Sequence, residues 1–136
     1  MTDSVFPFDL NHAAEELARG GPTIDVEGQR IACAPLFETA RSQAALFRLR
    51  PGQRIPAHRH SAIDDIFFCV RGRGRIRTWD AAGTARDHPI EPGAVFLVQP
   101  ETAHEVACAG DEFCYVLLQA PKELYDSHAY SAGAAS

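Results

Sequence analysis

Gly52-Gln-Arg-Ile-Pro-Ala-His58-Arg-His60-Ser-Ala-Ile-Asp64-Asp65-Ile-Phe-Phe-Cys69-Val-Arg-Gly72 sets two histidines, two carboxylates and a five-residue apolar run between two glycines. Side chains alternate across a strand, so His58 and His60, two apart, project from the same face and stand side by side. Asp65 opens the run Ile66-Phe67-Phe68-Cys69-Val70. A carboxylate at the head of a hydrophobic strand needs a partner, because burying it uncompensated costs several kcal/mol. Two imidazoles and one carboxylate on strand faces are the donor set used for Fe(II), Mn, Ni, Cu or Zn. His104, which opens a later apolar segment, is a fourth candidate ligand.

Outward from this stretch the chain continues in short apolar or alternating runs broken by Gly, Pro and Asp, at the spacing of an all-β sandwich or barrel. Strands are expected at Ile24–Val26, Ile31–Leu36, Ala44–Arg50, Ile55–His60, Asp65–Val70, Arg75–Trp79, Ala94–Val98, His104–Cys108 and Phe113–Gln119. Pro51-Gly52, Ala82-Gly83 and Pro92-Gly93 mark turns between them. No βαβ alternation occurs, which disfavours a parallel α/β sheet. One short helix is expected through Ala13–Ala18, capped by Asp9 or Asn11 and closed by Gly20-Gly21-Pro22. The expected organisation is an arm with this helix over 1–22, a barrel over 23–121 and a C-terminal tail over 122–136, whose small, polar end from His128 to Ser136 is expected to fray.

At 136 residues the chain suits a single domain with a core that needs no disulfide or metal to fold. A metal would therefore serve function rather than folding. The formal charge of −5 offers no excess of cations for phosphates, so no nucleic-acid partner is expected. Nor is a membrane span, since no stretch nears 18 consecutive apolar residues. The first twenty residues carry no basic leader with an apolar core, so a cytoplasmic protein with reduced thiols is expected. Four dispersed cysteines form no metal-binding pair, and His12, His88 and His128 read as surface residues. The stripe Arg73, Arg75 and Arg77 reads as a solvated or dimer-facing strand face, paired with acids near Glu91 or Asp111. The alternative reading of the stripe is recognition of an anionic substrate, a task for which Arg48 and Arg50 are rival candidates.

The Gly52–Gly72 stretch resembles the first motif of the cupin superfamily, G-x5-H-x-H-x3/4-E-x6-G, with both glycines, both histidines and the acidic position in register. Gly93-Ala-Val-Phe-Leu-Val-Gln-Pro-Glu-Thr-Ala-His104 resembles the second, G-x5-P-x-G-x2-H-x3-N. The resemblance implies a small antiparallel β-barrel, a jelly-roll-like double-stranded β-helix, with one divalent transition metal inside it. It passes the ligand roles to His58, His60, Asp65 and His104. The departures are Asp65 in place of glutamate, Gln99 and Glu101 in place of the motif's proline and glycine, and Cys108 in place of its asparagine. Asp64 suits a shorter spacing from His60, but only Asp65 keeps six residues before Gly72. Asp65 either coordinates or orients an imidazole through its ring N–H, leaving a three-histidine site.

Strand parity adds Phe67, Cys69, Val106 and Cys108 as apolar walls around the ligands. Such a pocket suits a small, partly apolar substrate. The first functional reading is a metal-dependent enzyme of dioxygenase type, with iron ahead of Mn, Ni, Zn or Cu. The second is a non-redox cupin enzyme: an isomerase, lyase or polyketide cyclase. The third is a non-catalytic module that binds or senses a small ligand. A homodimer formed through strands in the Ile24–Leu36 region is expected from the resemblance and from the need to cover a sheet edge.

Overall fold

The computed structural model describes residues 6–131. Its single α-helix, α1 (Leu10–Arg19), is capped by Asp9, whose carboxylate accepts from the His12 N–H at 3.1 Å. Gly20 ends the helix with a φ of 129°. Ala14 and Leu17 bury one face of α1 against Leu46 and Cys114, a core separate from the barrel interior. Burial of a leucine such as Leu17 is worth about 1.5–3 kcal/mol, enough to hold a ten-residue helix that would not persist alone.

Nine strands make one curled, wholly antiparallel sheet: β1 (Thr23–Val26), β2 (Gln29–Glu38), β3 (Gln43–Leu49), β4 (Arg54–Arg59), β5 (Asp64–Trp79), β6 (Ala85–Ile90), β7 (Val95–Val98), β8 (Ala103–Ala120) and β9 (His128–Ala129). The order is β1-β2-β3-β8-β4-β9, with β5 pairing β8 on one edge and β6 and β7 on the other. Ile31, Leu49, Phe67, Ile76, Val106, Phe113 and Tyr115 fill the interior. This is the all-β double-stranded β-helix implied by the sequence.

Four expected strands are two. Asp65–Val70 and Arg75–Trp79 join in β5, which bends at register shifts between Cys69 and Arg71 and between Gly72 and Gly74. Opposite them, His104–Cys108 and Phe113–Gln119 join in β8. Glycine makes the bend feasible: Gly72 has a φ of 75°, and a β-carbon on Gly74 would sit 2.1 Å from the Phe113 ring. β6 was not expected, because Ala-Arg-Asp-His-Pro-Ile lacks an apolar alternation; as an edge strand it needs none and tolerates Pro89. The arginine stripe pairs across these strands, though not with the acids expected: Arg77 grips Asp87 at 2.6 and 3.0 Å and Arg75 reaches Glu105 at 2.9 Å.

The chain end also differs from expectation. Instead of fraying throughout, His128–Ala129 adds to β4 through His58 and Arg59, and the Tyr130 N–H donates to the Ala57 carbonyl at 3.0 Å. Residues 132–136 lie outside the described residues.

Candidate metal centre

The register of the sheet brings the four candidate ligands together. His58 on β4 is the direct cross-strand partner of His104 on β8, and their rings stand 4.4 Å apart. His60 lies one residue past the end of β4, with its ring 4.9 Å from His58. Asp65 enters from β5, and its side chain rather than that of Asp64 faces the interior. One ligand atom from each of the four falls within 4.8 Å of the others, and Asp65, His60 and His104 are buried.

Backbone carbonyls fix the tautomers. Nδ1 of His58 lies 2.8 Å from the Pro56 carbonyl, Nδ1 of His60 lies 2.5 Å from that of Asp126, and Nδ1 of His104 lies 2.9 Å from that of Thr102. A carbonyl only accepts, so each Nδ1 is the donor, and in a neutral ring Nε2 is left with a lone pair. Yet Nε2 of His60 and of His104 stand 3.1 and 3.0 Å from the same oxygen, Oδ2 of Asp65. Lone pairs facing a carboxylate at that range require a positive charge among them. Burial opposes charging His60, but the Asp65 and Asp126 contacts outweigh it and hold the ring above its usual pKa.

Asp65 is the converse case. Burial favours its neutral form, but hydrogen bonds from His104 and His60 outweigh that and hold the carboxyl well below the usual range. His58 makes no such contact with Asp65. Burial and the neighbouring His104 lower its pKa to about 4, so it carries a free lone pair at neutral pH. Ligand atoms about 2.1 Å from a shared ion and at right angles stand about 3.0 Å apart, which matches the spacing around Asp65 Oδ2. The donor set therefore fits a divalent transition ion.

Several supporting residues were not foreseen. Oδ1 of Asp65 accepts from Gln119 Nε2 at 2.9 Å, and Gln119 Oε1 in turn accepts from Gln43 Nε2 at 2.8 Å, a relay that orients the carboxylate. Asp126 holds His60 by its carbonyl and the Ser61 N–H by its side chain at 2.8 Å. Tyr125 lays its ring 5.4 Å from that of His60. Gln119 has the inward parity of Phe113 and Tyr115, a signal present in the sequence. Asp126 and Tyr125 give no such signal, since their place depends on the path of the chain end.

A cavity of about 180 Å³ opens on the cluster, walled by Ile24, Val26, Phe47, Ile55, Phe67 and Val106. Phe67 and Val106 are walls that parity anticipated; Cys69 and Cys108 lie elsewhere. Cys69 is packed in the core with its sulfur near the Arg71 and Gly72 carbonyls, and burial pushes its thiol up to about 11. Cys108 turns its sulfur to the Gly110 carbonyl at 3.2 Å. Parity sets the face of a strand but not the depth, and the rings of Phe113 and Tyr115, 4.8 Å apart, fill the barrel beyond Phe67. Arg48 and Arg50 line a separate groove with Arg19 and Arg30, outside this cavity.

Glu101 occupies the place of the second motif's glycine and keeps the backbone conformation glycine would supply, with a φ of 69°. That conformation costs an ordinary residue about 1–2 kcal/mol. It lets the Glu101 N–H donate to the His60 carbonyl at 2.7 Å, tying the loop before His104 to the other ligand loop.

The fold and site define a double-stranded β-helix protein with a His/Asp cluster able to hold a metal ion at its centre. Residues 45–119, more than half of the chain, match the cupin domain family, and the chain belongs to that family. Over 57 residues it is 35% identical to a glucose-6-phosphate isomerase of Thermococcus onnurineus, a match covering 40% of this chain and 30% of that protein. Among solved structures it resembles an uncharacterized double-stranded β-helix protein from Klebsiella pneumoniae, with a TM-score of 0.70 and 17% identity over 96% of this chain and 99% of that one. It also resembles oxalate decarboxylase from Bacillus subtilis, with a TM-score of 0.65 and 22% identity over 83% of this chain and 30% of that one. At these identities the structural likenesses establish the fold.

Proposed function

We propose that the chain is a metal-dependent enzyme acting on a small, largely apolar organic molecule, with dioxygenase-type oxidation as its reaction. The observation that carries the metal is the convergence of imidazole lone pairs on Asp65 Oδ2 while every Nδ1 is occupied by a carbonyl. His58, His60 and His104 would present Nε2 to the ion and Asp65 would present Oδ2. A divalent ion bound there supplies Lewis-acid activation of a substrate oxygen and, as iron, redox chemistry with dioxygen.

The remaining work falls to the chain. Carbonyls of Pro56, Thr102 and Asp126 fix the imidazoles, and Gln43 and Gln119 fix the carboxylate, so the ligands need no reorganisation. Apolar walls exclude water and orient the substrate. The cavity also sets a size limit, since about 150 Å³ accommodates benzene. One-ring catechols and short diketones suit 180 Å³, whereas three-ring flavonols exceed it. Iron-loaded protein in an oxygen-electrode assay is expected to consume oxygen with a member of a panel of small catechols and diketones. Metal-loaded protein inert across the panel would exclude the dioxygenase reading.

The match to a glucose-6-phosphate isomerase favours a second reading, non-redox isomerisation at the same cluster. Against a phosphorylated substrate stands the cavity, none of whose lining residues is Lys or Arg.

The proposed partner is a second copy of the chain, joined at β1, which among the described residues pairs with β2 alone and exposes Ile24. Sedimentation at micromolar concentration is expected to give twice the chain mass, and a monomer would overturn this.

A further inference from the structure

Tyr115 is the largest fully buried side chain among the described residues and lines the same cavity as the cluster. Its ring is locked: it stacks on Phe47 at 5.3 Å with an interplanar angle of 8° and contacts Phe67 at 5.5 Å and Phe113 at 4.8 Å. Three aromatic rings thus fix the phenol, and none of them can bond its hydroxyl. Among the described residues the buried side-chain nitrogens and oxygens left without a partner are Arg48 Nε and Arg75 Nε. No hydrogen bond joins the Tyr115 hydroxyl to a described residue, and the cavity that Tyr115 lines is the open space beside it.

The other polar groups around this cavity are committed. Gln119 uses Nε2 on Asp65 and Oε1 on Gln43. The imidazoles and Asp65 face one another, and Tyr125 sits half-exposed at the rim. An unfulfilled hydroxyl held rigidly in an apolar cavity is costly unless a ligand bonds to it. Burial raises the Tyr115 phenol well above its ordinary pKa, so at neutral pH it keeps its proton and donates.

We infer that Tyr115 is the specificity residue of the site: it donates a hydrogen bond to an acceptor on the substrate, distinct from the oxygen that meets the metal cluster. This rests on the metal-dependent reading above and narrows it. The substrate class is a one-ring or similarly short molecule with an oxygen donor at one end, an apolar middle and an uncharged hydrogen-bond acceptor at the other. A phosphate or second carboxylate does not belong to it, because no Lys or Arg lines the cavity to receive one. Tyr115 is a positioning residue, which makes its signature selective affinity rather than loss of the ion.

The test uses zinc-loaded protein, which binds without turnover, and two probes of similar size: 4-cyanocatechol, whose nitrile accepts a hydrogen bond, and 4-ethylcatechol, which has no such acceptor. Tyr115→Phe keeps the stacked ring. Calorimetric titration is expected to show Tyr115→Phe binding 4-cyanocatechol roughly 3- to 10-fold more weakly than wild type, with 4-ethylcatechol changed by less than about twofold and zinc content unchanged. Equal affinities of the two proteins for 4-cyanocatechol, or no binding of either probe to zinc-loaded wild type, would overturn the Tyr115 assignment and leave the metal site standing. Failure of wild type to take up zinc would overturn both.

Discussion

Gly72→Ala is expected to destabilise the protein by about 2–5 kcal/mol, a large share of the 5–15 kcal/mol that holds a typical domain together. Two costs combine. With a φ of 75° the position lies in the left-handed region, which an L side chain pays about 1–2 kcal/mol to enter. The new β-carbon would also lie 1.9 Å from the Glu112 carbonyl oxygen, a backbone atom that cannot rotate away. Relief requires β5 and β8 to separate where both bend, and forced repacking of that kind adds about 1–3 kcal/mol or more. Urea unfolding should show the midpoint fall steeply, while Gly110→Ala, whose β-carbon meets Arg73 at an ordinary 3.5 Å, stays within about 0.5 kcal/mol of wild type. Equal midpoints for Gly72→Ala and wild type would mean that the bend does not depend on glycine. The consequence reaches the site, since β5 carries Asp65 and β8 carries His104.

Much of this site was legible because strand geometry is short-ranged. Alternation alone placed His58 and His60 on one face, and the resemblance to the cupin motif, through its spacing to Gly72, preferred Asp65 over Asp64, which is what the interior shows. Alternation could not reveal depth: Cys69 and Cys108 have inward parity, yet they pack away from the cavity. Nor could it reveal that β5 and β8 run on through their bends, because Gly72 and Gly74 read locally as breaks. β6 escaped notice for a different reason. Its stability comes from one pairing with β5 and the grip of Arg77 on Asp87, not from an apolar face. The clamp of Asp126 on His60 spans 66 residues of sequence, and no local pattern encodes a contact of that range.

Replacing both members of the cross-strand pair, His58→Ala with His104→Ala, is expected to abolish metal binding. Loss of even an outer hydrogen-bond partner of a metal ligand typically weakens affinity by about 10- to 100-fold. Loss of two ligands goes further, since His60 and Asp65 alone leave an ion with half its protein donors. The apo variant should still fold. Asp65 keeps Oδ1 on Gln119 and Oδ2 near His60, and the residues removed contribute no share of the apolar core. Circular dichroism and a cooperative melt check that point, with His12→Ala as a control on the exposed face of α1. The most direct measurement is elemental analysis of the three proteins after equilibration with Fe(II), Mn(II) and Zn(II) and removal of free ion. Wild type and His12→Ala are expected to hold about one equivalent of a transition ion and the double variant less than about a tenth. Wild type below a tenth of an equivalent, or a double variant that retains a full one, would contradict the assignment of the site to His58, His60, Asp65 and His104.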